Sequence, residues 1–270
     1  MRRERHFPSR DRLSVLTAII VLAYTISRFL DLPAHESEAA PALLLYFNGT
    51  ALILILVAAL ISTGADTLIR SHPNFSARTT FIHWIVPGAA ALVLGVGLER
   101  LPNGPGWWLG LAFSALMLLA VLIAEYVVVD ANDSARDSAA LGLSALTYAI
   151  AIILFALLHN IGARALISGT VGGLLAAALA WRLFALNSAP LRRASLYAAI
   201  VGLICAETVW AISYWRVTSY GATLLVMLPF YLGVGLSQQH LTGHLTRRVW
   251  IEYGLVGLVA LSLALAYIFG

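Results

Sequence analysis

The chain has 270 residues, 60% apolar and only 11% charged, with a formal net charge of +4 and a mean hydropathy of +0.87. Soluble domains carry roughly a quarter charged residues, so this composition excludes an ordinary soluble fold and points to a polytopic membrane protein. All 17 basic side chains are arginine, which excludes chemistry that needs a lysine, such as a Schiff base or a phosphate-loop lysine.

Apolar runs of about 20 residues match helices crossing the hydrocarbon core, and they are too continuous for the alternating strands of a barrel. Nine transmembrane helices are predicted, at about 13–30, 42–63, 79–98, 107–129, 139–159, 162–186, 194–215, 219–237 and 249–269. The expected fold is an all-α helix bundle forming a single integral membrane domain. No A-x-A site follows the first span, which therefore reads as an uncleaved anchor. With the N-terminus inside, the inner segments carry Arg2, Arg3, Arg5, Arg10, Arg12, Arg70, Arg78, Arg136, Arg182, Arg192, Arg193, Arg247 and Arg248. The outer side keeps Arg28, Arg100, Arg164 and Arg216. That asymmetry predicts N-inside and C-outside. It also accounts for the positive charge by orientation in the lipid bilayer, without nucleic acid. Trp107, Trp108, Trp181, Trp215, Tyr220 and Trp250 fall at span ends as interface anchors.

A mid-span charge costs about 2.5–3.5 kcal/mol on insertion scales and therefore faces protein or water. The polar groups fall into two layers. The outer one holds Arg28, Asn48, His159 and Glu207; the inner one holds His83, Glu125, Gln238 and Glu252. For Glu125 and Glu252 the options are snorkelling, pairing with Arg78 or Arg248, and a hydrogen bond with His83. Pro87 and Pro229 each remove an amide donor within a span, freeing the carbonyls of His83 and Leu225.

Ala206 to Trp215 places a carboxylate and three large aromatics in one span. With that span ending at 215, Glu207 lies ~12 Å from the outer end. Tyr214 then falls within about 20° and Trp210 within about 60° of it on the helix. One reading pairs Glu207 with Arg28, tying the first span to the seventh. The other makes it a proton- or cation-handling carboxylate, or a ligand counter-ion, with Trp210 and Tyr214 beside it. The small-residue stripe through Gly169 and Gly173 lets helices approach closely, either within the bundle or as the face of a homo-oligomer or membrane complex. Cys205 is a packing residue.

Two clusters have ligand-like spacing. His240 and His244 stand at i, i+4, with Glu252 or His83 as a third ligand, although Gly243 weakens the helix between them. Asp130, Asp133 and Asp137 follow the spacing D-x-x-D-x-x-x-D, which resembles the first aspartate-rich motif of UbiA-type prenyltransferases. The resemblance implies Mg²⁺ held against a diphosphate, a task suited to carboxylates. The pattern departs at Val129, where the family has Asn. The loop follows the fourth span instead of the second, and residues 182–195 contain no acid. A helix-capping turn is the other reading. No metal and no cofactor is expected.

The segments Glu125–Asp137, Glu207–Trp215 and Gln238–Leu241 together look similar to bacterial multi-pass membrane proteins of a domain of unknown function. That resemblance implies the cell inner membrane and supplies no activity. The first functional expectation is a non-catalytic membrane component or scaffold. The alternatives are a small proton- or cation-linked transporter using Glu207 and a membrane enzyme acting on a lipid-like substrate.

Overall fold

The computed structural model describes residues 9–30, 49–73, 80–130, 132–187 and 190–269. Among these the regular structure is all helical: α1 (Arg10–Phe29), α2 (Gly49–Arg70), a 3₁₀ turn (Phe81–Trp84) leading into α3 (Ile85–Glu99), α4 (Pro105–Val129), α5 (Arg136–Ile161), α6 (Ala165–Leu186), α7 (Leu191–Ile212), α8 (Ser219–Leu241) and α9 (Arg247–Phe269). Counting the 3₁₀ turn with α3, nine of these segments are long and apolar enough to cross a membrane. The chain divides into two compact units, residues 1–146 and 147–270, with the division inside α5.

The predicted spans match the helices within a few residues, except the second. It is predicted at 42–63 and observed at Gly49–Arg70. Thr63, Asp66 and Thr67 lie in the extra turns beyond 63, and each is satisfied there. Arg70 Nε donates to Asp66 Oδ2 at 2.6 Å, one turn away. Trp84 Nε1 donates to the other oxygen, Oδ1, at 3.2 Å. Residues 42–48, including the candidate Asn48, lie outside the described residues.

In the first unit, Ile20, Ile61, Leu68, Ile69, Val86, Leu118 and Leu122 form the buried interior of α1–α4. The Tyr24 ring is buried there too, and its hydroxyl donates to the Ala91 carbonyl of α3 at 2.7 Å. That bond satisfies a phenol that would otherwise be stranded among apolar groups. Trp107, expected as an interface anchor, is instead buried, whereas its neighbour Trp108 is exposed. The two rings meet edge to face with centroids 4.9 Å apart.

Pro87 does not kink the middle of a span. It is the third residue of α3, where an amide would lack an intrahelical partner in any case. Its missing N–H is the one that would have bonded the His83 carbonyl. The segment just before it winds as a 3₁₀ turn, and His83 N–H donates to the Thr80 carbonyl at 2.9 Å. The proline thus sets the start of α3 and the local winding around His83.

In the second unit, α6 and α7 make the closest helix pair. A Cβ on Gly173 would stand 2.7 Å from Ala206 Cβ and 2.9 Å from the Gly202 carbonyl, and one on Gly202 would stand 2.6 Å from the Gly173 carbonyl. The two backbones are nearly in contact. This is the packing mode of membrane helices, where dispersion and close approach replace the hydrophobic drive. The Gly169/Gly173 stripe, one reading of which was an oligomer face, is therefore covered by α7 of the same chain. Val201 and Cys205 on α7 and Phe184 on α6 are buried. Phe230 of α8 is the hub of an aromatic cluster, with Tyr148 at 5.8 Å and Phe155 at 6.0 Å, both edge to face. α8 runs through Pro229 as one helix. α9 exposes most of its apolar side chains, among them Ile251, Leu255, Leu258 and Leu263.

Candidate functional site

The densest polar cluster of the first unit lies where α2 ends, α3 begins and α4 ends. The Glu125 carboxylate is completely buried and lies 2.8 Å from His83 Nδ1, a distance suited to an Nδ1–H donating to the carboxylate. Beside it Asp66 accepts from Arg70 and Trp84, and Arg70 Nη2 donates to Thr80 Oγ1 at 3.1 Å. His72 is buried with its ring 4.5 Å from that of Tyr126. The cluster draws on α2, the 3₁₀ turn and α4, so it ties three helices at one end of the unit. Of the four residues assigned to the inner layer, His83 and Glu125 meet here.

The other two lie in the second unit. Gln238 Nε2 donates to the Leu183 carbonyl at 3.5 Å, a bond at the limit of a hydrogen bond. Glu252 is exposed and accepts from Arg248 Nε at 2.8 Å, one turn away on α9.

Arg28 closes the opposite end of the first unit. Its Nε and Nη2 both donate to Asn103 Oδ1, at 3.0 and 2.5 Å, and Nη1 lies 3.4 Å from Glu99 Oε2. The guanidinium thus anchors the end of α1 to the α3–α4 turn. Glu207, its candidate partner in the sequence, belongs to the second unit. Neither Glu99 nor Asn103 was singled out in the sequence, because both sit at a span end where polar residues are unremarkable.

Glu207 is exposed on α7. The helix ends at Ile212, three residues earlier than expected. The carboxylate is therefore ~7.5 Å from the helix end instead of ~12 Å, within reach of the interface by snorkelling. Trp210 and Tyr214 accompany it on the surface, with Trp210 Nε1 donating to the Tyr214 hydroxyl at 3.1 Å. The three side chains thus share an exposed face of α7.

The aspartate loop splits by role. Asn132 N–H donates to Asp130 Oδ1 at 2.9 Å, and Ala135 N–H donates to Asp133 Oδ1 at 2.7 Å. Both aspartates are buried and cap the turn that starts α5. Asp137 is 91% exposed, 3.8 Å from Arg136. The prenyltransferase-like reading needs the three to converge, and they do not. His240 is on α8 with its ring 5.6 Å from that of Tyr197. His244 lies beyond the helix end, because Gly243 takes φ +75° and stops it. The shared i, i+4 face of the two imidazoles is lost there. Among the described residues, no group of three or more His, Cys, Asp or Glu side chains is placed to hold a metal.

Arg182 counts among the inner-segment arginines in the sequence. It is on α6 and only 1% exposed. The signal was its position inside the sixth predicted span.

Two concave spaces lie elsewhere in the units. A groove of about 640 Å³ runs between α4 and α5 in the first unit, lined by residues from Met117 to Leu146. A smaller cavity of about 150 Å³ in the second unit is lined by His159, Ser168, Ser213 and apolar neighbours. There His159 Nε2 is 3.2 Å from the Val217 carbonyl.

Among the described residues, nine helical segments long and apolar enough to cross a membrane, with buried polar ties between some of them, define a helical multi-pass membrane protein. The chain belongs to the family described as Protein of unknown function (DUF5656), which matches residues 39–267. No curated protein and no solved structure matches it.

Proposed function

We propose that this protein is a non-catalytic component of a bacterial cytoplasmic-membrane assembly, oriented with its N-terminus inside, which docks a partner helix against the outer part of α7. The observation that carries the reading is the outward Glu207 with Trp210 and Tyr214 on the same surface. A carboxylate near lipid is costly unless it reaches water or meets a donor. A partner helix bearing an arginine or an amide opposite Glu207 supplies that donor. A two-fold copy of this chain meeting through α7 would bring the same acid from each protomer to one patch, so the partner is a different protein. The bacterial setting rests on the resemblance of the three segments quoted above. The orientation rests on the arginine asymmetry.

The capping roles of Asp130 and Asp133 favour the non-catalytic reading over diphosphate chemistry. The surface position of Glu207 favours docking over transport through an interior.

The test is photo-cross-linking in cells. Benzoylphenylalanine replaces Leu203 or Ala211, which flank Glu207 by one turn on its face, and Leu258 of α9 serves as a control. Discrete protein adducts from positions 203 and 211, absent at 258 and lost on Glu207→Leu, are expected. Lipid adducts alone, or equal protein adducts at all three positions, overturn the proposal.

A further inference from the structure

The starts of α7 and α9 lie at one end of the second unit. Both helices pack on α8, and the α8–α9 connection is the short stretch 242–246. The His240 ring, in the last turn of α8, stands 5.6 Å from that of Tyr197, in the second turn of α7. The His244 amide donates back to the Gln239 carbonyl at 2.9 Å, which folds the connection onto the end of α8.

Arg192, Arg193, Arg247 and Arg248 are all exposed at this end. Glu252 answers Arg248. Among the described residues, Arg192, Arg193 and Arg247 have no acidic partner. Glu207 and Glu252 are the acids of residues 147–270, and Glu207 lies toward the other end of α7. Orientation in the membrane accounts for the arginines but not for the missing acids, because Asp and Glu contribute little to it. The first unit shows the contrast. There Arg70 is paired with Asp66, and Arg136 has Asp137 at 3.8 Å. The second unit thus ends in an uncompensated positive surface.

Apolar side chains continue that surface along both helices. Leu196 and Ile200 follow Arg192 on α7 at four-residue spacing, and Ile251 and Leu255 follow Arg247 on α9 in the same way. All four are exposed. Residues four apart stack on one helix face. Each helix therefore presents a guanidinium at its start and bare aliphatic groups over the next two turns. A phospholipid has the matching profile, an anionic phosphate followed by acyl chains.

We propose that this end of the second unit is a docking surface for an anionic phospholipid. The phosphate meets Arg192, Arg193 and Arg247 through charge-assisted hydrogen bonds. The acyl chains lie along the Leu196–Ile200 face of α7 and the Ile251–Leu255 face of α9. A zwitterionic lipid carries the same phosphate but brings its own cation, which the unpaired guanidiniums repel. The surface is at the opposite end of α7 from Glu207 and does not depend on the partner proposed there.

The experiment is native mass spectrometry of the full chain in detergent, titrated with dioleoyl phosphatidylglycerol or dioleoyl phosphatidylcholine, whose chains are identical. The glycerol lipid is expected to bind at a concentration about fivefold lower. Arg192→Gln combined with Arg193→Gln should weaken its binding about tenfold, and Arg247→Gln about threefold, with little change for the choline lipid. Arg164→Gln combined with Arg216→Gln removes two exposed arginines from the opposite end of the unit and should leave the preference intact. Thermal unfolding of each variant identifies loss of fold, and either helix start suffices if the other variant misfolds. Equal binding of the two lipids to the wild type, or equal losses from the two ends, overturns the proposal. So does a co-purifying acidic protein, in place of lipid, that is released by the Arg192→Gln and Arg193→Gln pair.

Discussion

Glu125, with no exposed surface, is held 2.8 Å from His83 Nδ1, bridging α4 and the turn that begins α3. Removing one member takes a buried hydrogen bond from the other. His83→Ala is expected to lower stability by about 2–3 kcal/mol, as for a hydrogen bond to a charged group in a buried setting. Unfolding by sodium dodecyl sulfate in mixed micelles measures it. His83→Leu combined with Glu125→Leu should lose less than the sum of the two single changes, because both remove the same hydrogen bond. Strict additivity would show that the two groups are not coupled.

The glycine contacts of the second unit give a prediction with an internal control. Gly202→Ala drives a Cβ to 2.6 Å from a backbone carbonyl that cannot swing away. It should separate α6 from α7 at a cost of about 1–3 kcal/mol, the usual range for overpacking. Gly142→Ala meets open space and should be neutral or slightly stabilising, given the better helix propensity of alanine. Equal unfolding midpoints for the two variants would contradict the observed approach of the helices.

Arg28 uses two nitrogens on a single acceptor, Asn103 Oδ1. Lysine offers a point charge on a flexible stem and cannot reproduce that planar fork. Arg28→Lys should therefore leave the α3–α4 turn loosened. Hydrogen exchange at the amides of Arg100 and Leu101, which donate to Gly97 and Leu98, should accelerate at least threefold. Exchange indistinguishable from wild type would mean that the fork contributes nothing to the turn.

Cys205 is the only cysteine and is buried on α7. In native micelles it should resist N-ethylmaleimide for hours, and it should label in minutes once the bundle is opened by denaturant. The mass shift of the intact chain reads this directly. Gly202→Ala should label faster than wild type, because it loosens the helix that carries the thiol. Rapid labelling of the native wild type would contradict the burial.

The sequence makes the helices legible because a twenty-residue apolar run has one stable solution in a bilayer, a helix with its backbone bonds made internally. It leaves partners illegible. Arg28 closes on Glu99 and Asn103, which the sequence does not mark out, and Glu207, placed well inside its span by the sequence, is exposed on α7. Which way a helix turns depends on packing against neighbours, and the nearly even apolarity of these spans carries little rotational information. Asp66 shows the converse. The second span runs past its predicted end at 63 because an arginine one turn on and an indole from the following 3₁₀ turn satisfy that acid. The His83–Glu125 contact was one of several options for Glu125 in the sequence, and only the fold selects it.

The contact between α6 and α7 has a mechanical consequence. Where a Gly202 Cβ would strike the Gly173 carbonyl, rotation of either helix about its own axis brings larger groups into the same gap. The two helices are thereby locked in register and move as one stiff plank. Any rearrangement within the second unit has to slip along other seams, where Leu232, Tyr231 and Tyr253 give the α8–α9 contact softer, rotatable surfaces.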